Sequence, residues 1–201
     1  MPHYFDPSPG TTSAEATVTV TLPDLTFRLR TDRGVFSHGR LDGGTAVLLR
    51  AAPALPATGS ALDLGCGAGA IATAMALRAP GLHVWAVDVN QRARALCSAT
   101  AALNGVHLSV LDPAHVPDDV TFDVIWSNPP IRIGKPALHE LLLTWLPRLT
   151  PDGRAVLVVH KHLGADSLQR WLVDQDLPTT RLSSAKGYRL LEVRRPTHPS
   201  T

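Results

Sequence analysis

Cysteine, lysine and aromatic side chains are all scarce in this 201-residue chain. The two cysteines, Cys66 in a glycine-rich run and Cys97 in a helical pattern, do not make the multi-cysteine framework of a small secreted domain, and both read as free thiols. No apolar run approaches the ~20 residues that span a bilayer. The opening Met1-Pro2-His3-Tyr4-Phe5-Asp6 lacks the basic start and apolar core of a signal peptide, so a cytoplasmic address with no membrane partner is expected. Charge of neither sign dominates: 19 basic against 17 acidic residues leave +2, which permits a polyanionic partner without demanding one. The only lysines are Lys135, Lys161 and Lys186, each in a segment that reads as a loop near a strand end. What is present is an ordinary globular balance, 44% hydrophobic and 18% charged, which excludes a disordered tail, a collagen-like chain or a coiled coil. At this length a core closes without staples.

Neither repeats nor low-complexity linkers divide the chain, so one domain is expected over residues 1–201: an extension with a hairpin (1–35), a core (36–195) and a polar tail (196–201). Alternation of polar and apolar residues over 17–22 and 25–30, around Pro23-Asp24, predicts the hairpin. Asp42 is placed to cap a helix running to about Ala52. From Ser60 onward strand and helix signals alternate: strands at 61–64, 84–87, 107–111, 122–126 and 155–159, helices at 68–79, 90–104, from Pro136, and 166–173. The helix from Pro136 places Leu138, Leu141, Leu142, Trp145, Leu146 and Leu149 on one face. Such alternation means an α/β fold, a mostly parallel sheet flanked by helices. The last two strands, 179–182 and 188–193, are joined by a turn at 183–187 too short for a crossover, so at least one of them runs antiparallel. Ligands on such sheets bind beyond the carboxyl ends of the strands, where strand order reverses.

Two motifs fall at such ends. Asp63-Leu64-Gly65-Cys66-Gly67-Ala68-Gly69 closes one strand and opens a helix; its glycines allow a sharp turn and close backbone approach, and the helix start offers unpaired N–H groups. Asp88 ends the following strand, where a carboxylate accepts both hydroxyls of a ribose. Together these read as a nucleoside pocket. Gly65-x-Gly67-x-x-Ala70 also satisfies the dinucleotide pattern, so NAD is the alternative ligand. Asp63, suited to an ammonium group, argues against it. The second motif runs the strand Phe122-Asp123-Val124-Ile125-Trp126 into Ser127-Asn128-Pro129-Pro130. Prolines make that turn stiff, and an Asn amide oxygen beside a proline carbonyl sets two acceptors at fixed spacing. The pair suits an exocyclic NH₂, whose nitrogen lone pair it aims at an electrophile. His160 and His162 lack a further ligand at metal spacing, and no metal is assigned.

The glycine loop, Asp88 and Asn128-Pro129-Pro130 resemble a class I S-adenosylmethionine-dependent methyltransferase acting on an amino nitrogen. With the upstream block Phe36-Ser37-x-Gly39-Arg40-x-Asp42-x-Gly44-Thr45, the chain is similar to the small-domain methyltransferases related to the 16S rRNA guanine-N2 enzymes. The resemblance implies a Rossmann-like seven-stranded sheet, mostly parallel with an antiparallel closing hairpin, and S-adenosylmethionine as cofactor. It implies that Asp63, Gly65, Gly67 and Gly69 hold the methionine part, Asp88 the ribose and Asp112 the adenine amine, with Asn128, Pro129 and Pro130 catalytic. Ile131, Arg132, Lys135 and Lys161 would meet the substrate. The implied partner is ribosomal RNA or the small ribosomal subunit, acted on by a monomer or weak homodimer. Other amine acceptors (adenine, a protein glutamine amide, a small molecule) stay open, as does a cofactor-binding module without catalysis. Ile131 stands where many members have an aromatic ring, and the longer rRNA enzymes carry a second, degenerate domain that 201 residues do not hold.

Overall fold

A computed structural model describes residues 15–32 and 40–195. The expected tail at 196–201 and residues 36–39 of the upstream block lie outside the described residues.

The chain forms β1 (Ala16–Thr21), β2 (Thr26–Thr31), α1 (Gly43–Ala51), β3 (Thr58–Leu64), α2 (Ala70–Arg78), β4 (Gly81–Val87), α3 (Gln91–Leu103), β5 (Ser109–Leu111), β6 (Phe122–Ser127), α4 (Lys135–Trp145), β7 (Leu149–His160), α5 (Ala165–Asp174), β8 (Thr179–Ala185) and β9 (Tyr188–Arg194). β1 and β2 pair antiparallel as a separate two-stranded sheet, while the other strands make one seven-stranded sheet in the order β5-β4-β3-β6-β7-β9-β8. The first five of these strands run parallel; β9 runs antiparallel to both β7 and β8, and its pairing with β8 is what the short connection between them requires. Strand order reverses between β3 and β6. Both motifs therefore leave the sheet side by side at its topological switch point.

The central strands are apolar nearly throughout because both faces are covered. On one face α1, α2 and the hairpin pack Leu48, Ile71, Met75, Phe27 and Leu29 against Ala61, Val84, Val124 and Trp126. On the other, α4 and α5 pack Leu138, Leu142, Trp145 and Leu168 against Leu62, Ile125 and Leu157. The hairpin is anchored by α3: Asn104 Oδ1 accepts from the Arg28 amide at 2.9 Å, its Nδ2 donates to the Arg28 carbonyl at 2.6 Å, and Thr100 Oγ1 accepts from the Arg30 amide at 3.1 Å.

Among the boundaries that differ from the sequence expectation, two change how elements join. The α4 stripe does not continue as one helix to Leu149, because Pro147 has no N–H to donate; Leu146–Arg148 tightens into a 3-10 turn and Leu149 opens β7. The closing turn is not five residues but two, Lys186 and Gly187, with φ of 49° and 81°, the double left-handed conformation whose twist matches a hairpin.

Candidate functional site

The loop after β3 crosses from strand to helix through three glycines with positive φ: Gly65 at 76°, Gly67 at 53° and Gly69 at 83°. They do different things. A Cβ added at Gly65 or Gly67 would meet nothing within 4 Å, so these two present bare backbone to open space. Gly69 faces inward, against Cys97 of α3, and permits α2 and α3 to approach. Cys66 is buried; hydrogen bonding with the Cys97 thiol and then burial push its own thiol well above the usual range, so it is no thiolate nucleophile.

Asp63 lies fully buried behind the loop, its Oδ2 accepting from the Ala72 amide at 2.9 Å in the first turn of α2, while its Oδ1 has no hydrogen-bond partner among the described residues. Burial pushes this carboxyl up to about 7, the Ala72 amide opposing. In the unfolded chain an aspartate titrates near ~3.9, so across the interval from about 4 to 7 the folded state holds a proton that the unfolded state has released. Stability from this group is present below the unfolded value and lost as pH rises to 7, at about 1 kcal/mol per unit. An Asp63→Asn variant keeps the acceptor for Ala72 and is expected to lose this slope. Denaturant melts of ligand-free protein between about pH 5 and 7 measure it; an unchanged gap between the two proteins at every pH would rule it out.

Asp88, at the end of β4, receives two backbone donors: Gly67 N on Oδ2 and Asn90 N on Oδ1, each at 2.9 Å. It thereby clamps the glycine loop against the start of α3, and burial raises its pKa against those bonds. Asp112 follows β5 and caps a short 3-10 turn through Ala114 N at 3.1 Å. Arg94, which the sequence did not single out, ties the two strand ends: its Nη1 donates to the Asp88 carbonyl at 2.6 Å, the Val89 carbonyl at 2.9 Å and Asp112 Oδ2 at 3.0 Å.

The turn after β6 is anchored by Ser127, buried, whose Oγ donates to the Leu64 carbonyl at 2.7 Å and locks the ends of β3 and β6 together. Pro130 sits at φ −75°, ψ 72°, the inverse γ-turn geometry, closed by Ile131 N donating to the Pro129 carbonyl at 2.8 Å. Both proline carbonyls thus accept a backbone N–H: Pro129 keeps one free lone pair beside its bond from Ile131, and Pro130 accepts from Ile133 N at 3.1 Å. Asn128 donates through Nδ2 to Asp42 Oδ1 at 2.6 Å and to Thr45 Oγ1 at 3.1 Å. A carboxylate accepts only, so Nδ2 must face Asp42, and the amide oxygen is left on the other side. Asp42 is also the α1 cap, accepting from Thr45 N at 3.0 Å. Gly44 admits this crowding: a Cβ there would stand 2.9 Å from the Tyr188 ring and 3.3 Å from Asn128 Nδ2.

One cleft brings together Gly65, Cys66 and Gly67 with Asn128, Asp42 and Thr45. Leu29, which the sequence did not flag as a site residue, and Arg40 of the upstream block also line it. Ile131 and Lys135 line a second groove instead, while Arg132 and Lys161 are exposed on short 3-10 turns after β6 and β7. Among the described residues no group of three or more His, Cys, Asp or Glu is placed to hold a metal ion. No described helix is long and apolar enough to cross a membrane.

Comparison with known proteins gives this geometry its context. Residues 26–192 match the family described as "Methyltransferase small domain". An uncharacterised Bacillus subtilis protein is 28% identical over 96% of this chain and 98% of its own. A ribosomal RNA small subunit methyltransferase C of Ectopseudomonas mendocina is 36% identical over 81% of this chain, and one of Shewanella loihica 37% identical over 65%; the matches span 49% and 39% of those relatives. Among solved structures, a T. Thermophilus 16S rRNA N2 methyltransferase in complex with AdoMet and guanosine superposes with a TM-score of 0.78 at 22% identity, over 93% of this chain and 52% of that one. A ribosomal protein L11 methylase from Lactobacillus delbrueckii superposes at 0.60, with 22% identity, over 76% and 77%.

Proposed function

Because the chain belongs to the methyltransferase small-domain family, we propose that it moves the methyl group of S-adenosylmethionine onto an exocyclic nucleobase amine, guanine N2 of 16S ribosomal RNA. The observation that carries the reading is the tethered amide of Asn128. With Nδ2 committed to Asp42 and Thr45, Oδ1 is an oriented acceptor beside the free lone pair of the Pro129 carbonyl.

The residues fit the cofactor. Gly65 and Gly67 form a cradle that side chains would fill, at the carboxyl end of β3, and Asp63 Oδ1 is a buried oxygen without a hydrogen-bond partner among the described residues. Gly65, Gly67 and Asp63 would hold the methionine part, with Gly69 setting the loop; Asp88 would take the ribose and Asp112 the adenine amine. When bound, the sulfonium supplies an electrophilic methyl group. The protein's own contribution is alignment: Asn128 Oδ1 and the Pro129 carbonyl accept the two N–H bonds of the amine, so that its lone pair points along the transfer axis. The rigid γ-turn at Pro130 holds those acceptors still, which lowers the ordering cost at reaction. The proton made acidic by methylation leaves to water, and no acid–base pair is required.

Mass-spectrometric analysis of rRNA nucleosides from a deletion strain is expected to show loss of one N2-methylguanosine, restored by the wild-type gene. Unchanged nucleosides, with S-adenosylmethionine still bound in calorimetry, would move the acceptor away from rRNA. Binding of NAD instead would overturn the reaction itself.

A further inference from the structure

The groove lined by Ile131, Lys135, Leu138, His139, Leu163 and Trp171 plays no part in the transfer just described. Its volume, about 210 Å³, lies below the ~300–1,000 Å³ of pockets that bury a drug-sized ligand, which suits one ring system rather than a whole cofactor. The His139 and Trp171 rings stack in it with centroids 3.5 Å apart and planes 8° from parallel. Burial and the Lys135 charge lower the His139 pKa, so this stack is uncharged near neutrality and the positive charge sits at its edge. Leu163 is 49% exposed, an apolar face open to the same space.

The surroundings are cationic and polar in a matching way. Arg132, Lys135 and Lys161 make no ion pair among the described residues. The acid nearest in sequence to the opening of α5, Asp166, is taken up by Arg181 and Arg189. α5 itself opens on the groove at Gly164 and Ser167, and its cap is a glycine, which brings no side chain to satisfy the first amides. The groove is tied to the proposed acceptor pair through Ile131, which lines it and whose N–H donates to the Pro129 carbonyl at 2.8 Å.

A stacking surface, a lysine with no ion pair among the described residues and a helix start without a side-chain cap, two residues from Pro129, are complementary to a nucleotide. We infer that this groove binds the nucleotide flanking the target base in a single-stranded RNA segment, its base on the His139–Trp171 wall and Leu163, its phosphate at Lys135 and the α5 amides. The inference rests on the RNA reading above. A paired base has its faces covered by neighbours, so the occupant must be unstacked.

The test is a binding cycle on the full chain. Short RNA oligonucleotides with one guanosine in a uridine background, intact or with an abasic site on either side of it, are titrated against wild-type protein and Trp171→Leu. The abasic site on one side and the variant are each expected to weaken binding about 10-fold, the loss of one base–aromatic stack. Combined, they are expected to cost little more than either alone, because they remove the same contact. Retained calorimetric binding of S-adenosylmethionine by Trp171→Leu confirms its fold, and the abasic series on wild-type protein needs no variant. Equal affinity for intact and both abasic oligonucleotides, or fully additive losses, would overturn the groove assignment while leaving the transfer reaction intact. Wild-type protein that binds no oligonucleotide at all would remove the RNA reading together with it.

Discussion

Asn128→Ala is expected to lower turnover by about 100-fold or more while S-adenosylmethionine binds as in the wild type. Its hydrogen-bond partners are Asp42 and Thr45 of the α1 start, not the glycine loop, and its other end, Oδ1, is the acceptor proposed for the amine. Truncation therefore removes one of two acceptors and lets the amine rotate off the transfer axis, a loss felt in kcat rather than in cofactor affinity. Asn128→Asp is expected to fail as well, for a different reason: a carboxylate would face the Asp42 carboxylate at the present 2.6 Å contact, with no donor between them. Single-turnover rates beside calorimetry separate the two effects. Turnover retained in Asn128→Ala would remove the residue from the reaction.

Gly69→Ala is expected to cost about 3 kcal/mol of stability. The residue sits at φ 83°, where a side chain costs roughly 1–2 kcal/mol, and its Cβ would lie 2.7 Å from Cys97 Sγ and 3.0 Å from Cys97 Cα, adding an overpacking cost of about 1–3 kcal/mol. The backbone atom among those contacts leaves no flexible chain end to yield. Gly65→Ala provides the contrast, with φ 76° but nothing within 4 Å: only the conformational cost, about 1 kcal/mol, is expected in stability, with the new methyl group placed in the proposed cofactor cradle. Urea midpoints and calorimetry on both variants check this. Equal midpoints for the two would mean that α2 and α3 do not close on Gly69 as described.

Much of this was legible along the chain because the signals are local. Pro at the first turn of α4, Asn90 before α3 and Asp42 before α1 mark starts through groups that bond within three residues, and those helices begin where such caps place them. That at least one of the two closing strands runs antiparallel followed from the length of a connection; that it is β9 came from the sheet order. The glycine loop and the Asn-Pro-Pro turn were visible because each needs residue types with little freedom of substitution. Elements bounded by nothing but apolar content were read less well: β7 begins six residues before the 155–159 run, since exposed Pro151 and Asp152 separate buried Leu149 from that run and break the pattern.

Composition and order along the chain by themselves determined the alternating α/β architecture, the glycine cradle and the rigidity of the turn at 128–130. Only the tertiary structure decided how these act, because the decisive bonds join distant positions: Asn128 to Asp42 across 86 residues, Asp88 to Gly67 across 21, Ser127 to Leu64 across 63. Which end of the Asn128 amide faces the cleft is set by a carboxylate that local sequence marks merely as a helix cap. The aromatic groove likewise exists only where α4 meets α5, bringing His139 onto Trp171. Hydrogen bonds and ring contacts act over a few ångströms in space, and periodicity in a sequence carries no information about which distant side chains share that space.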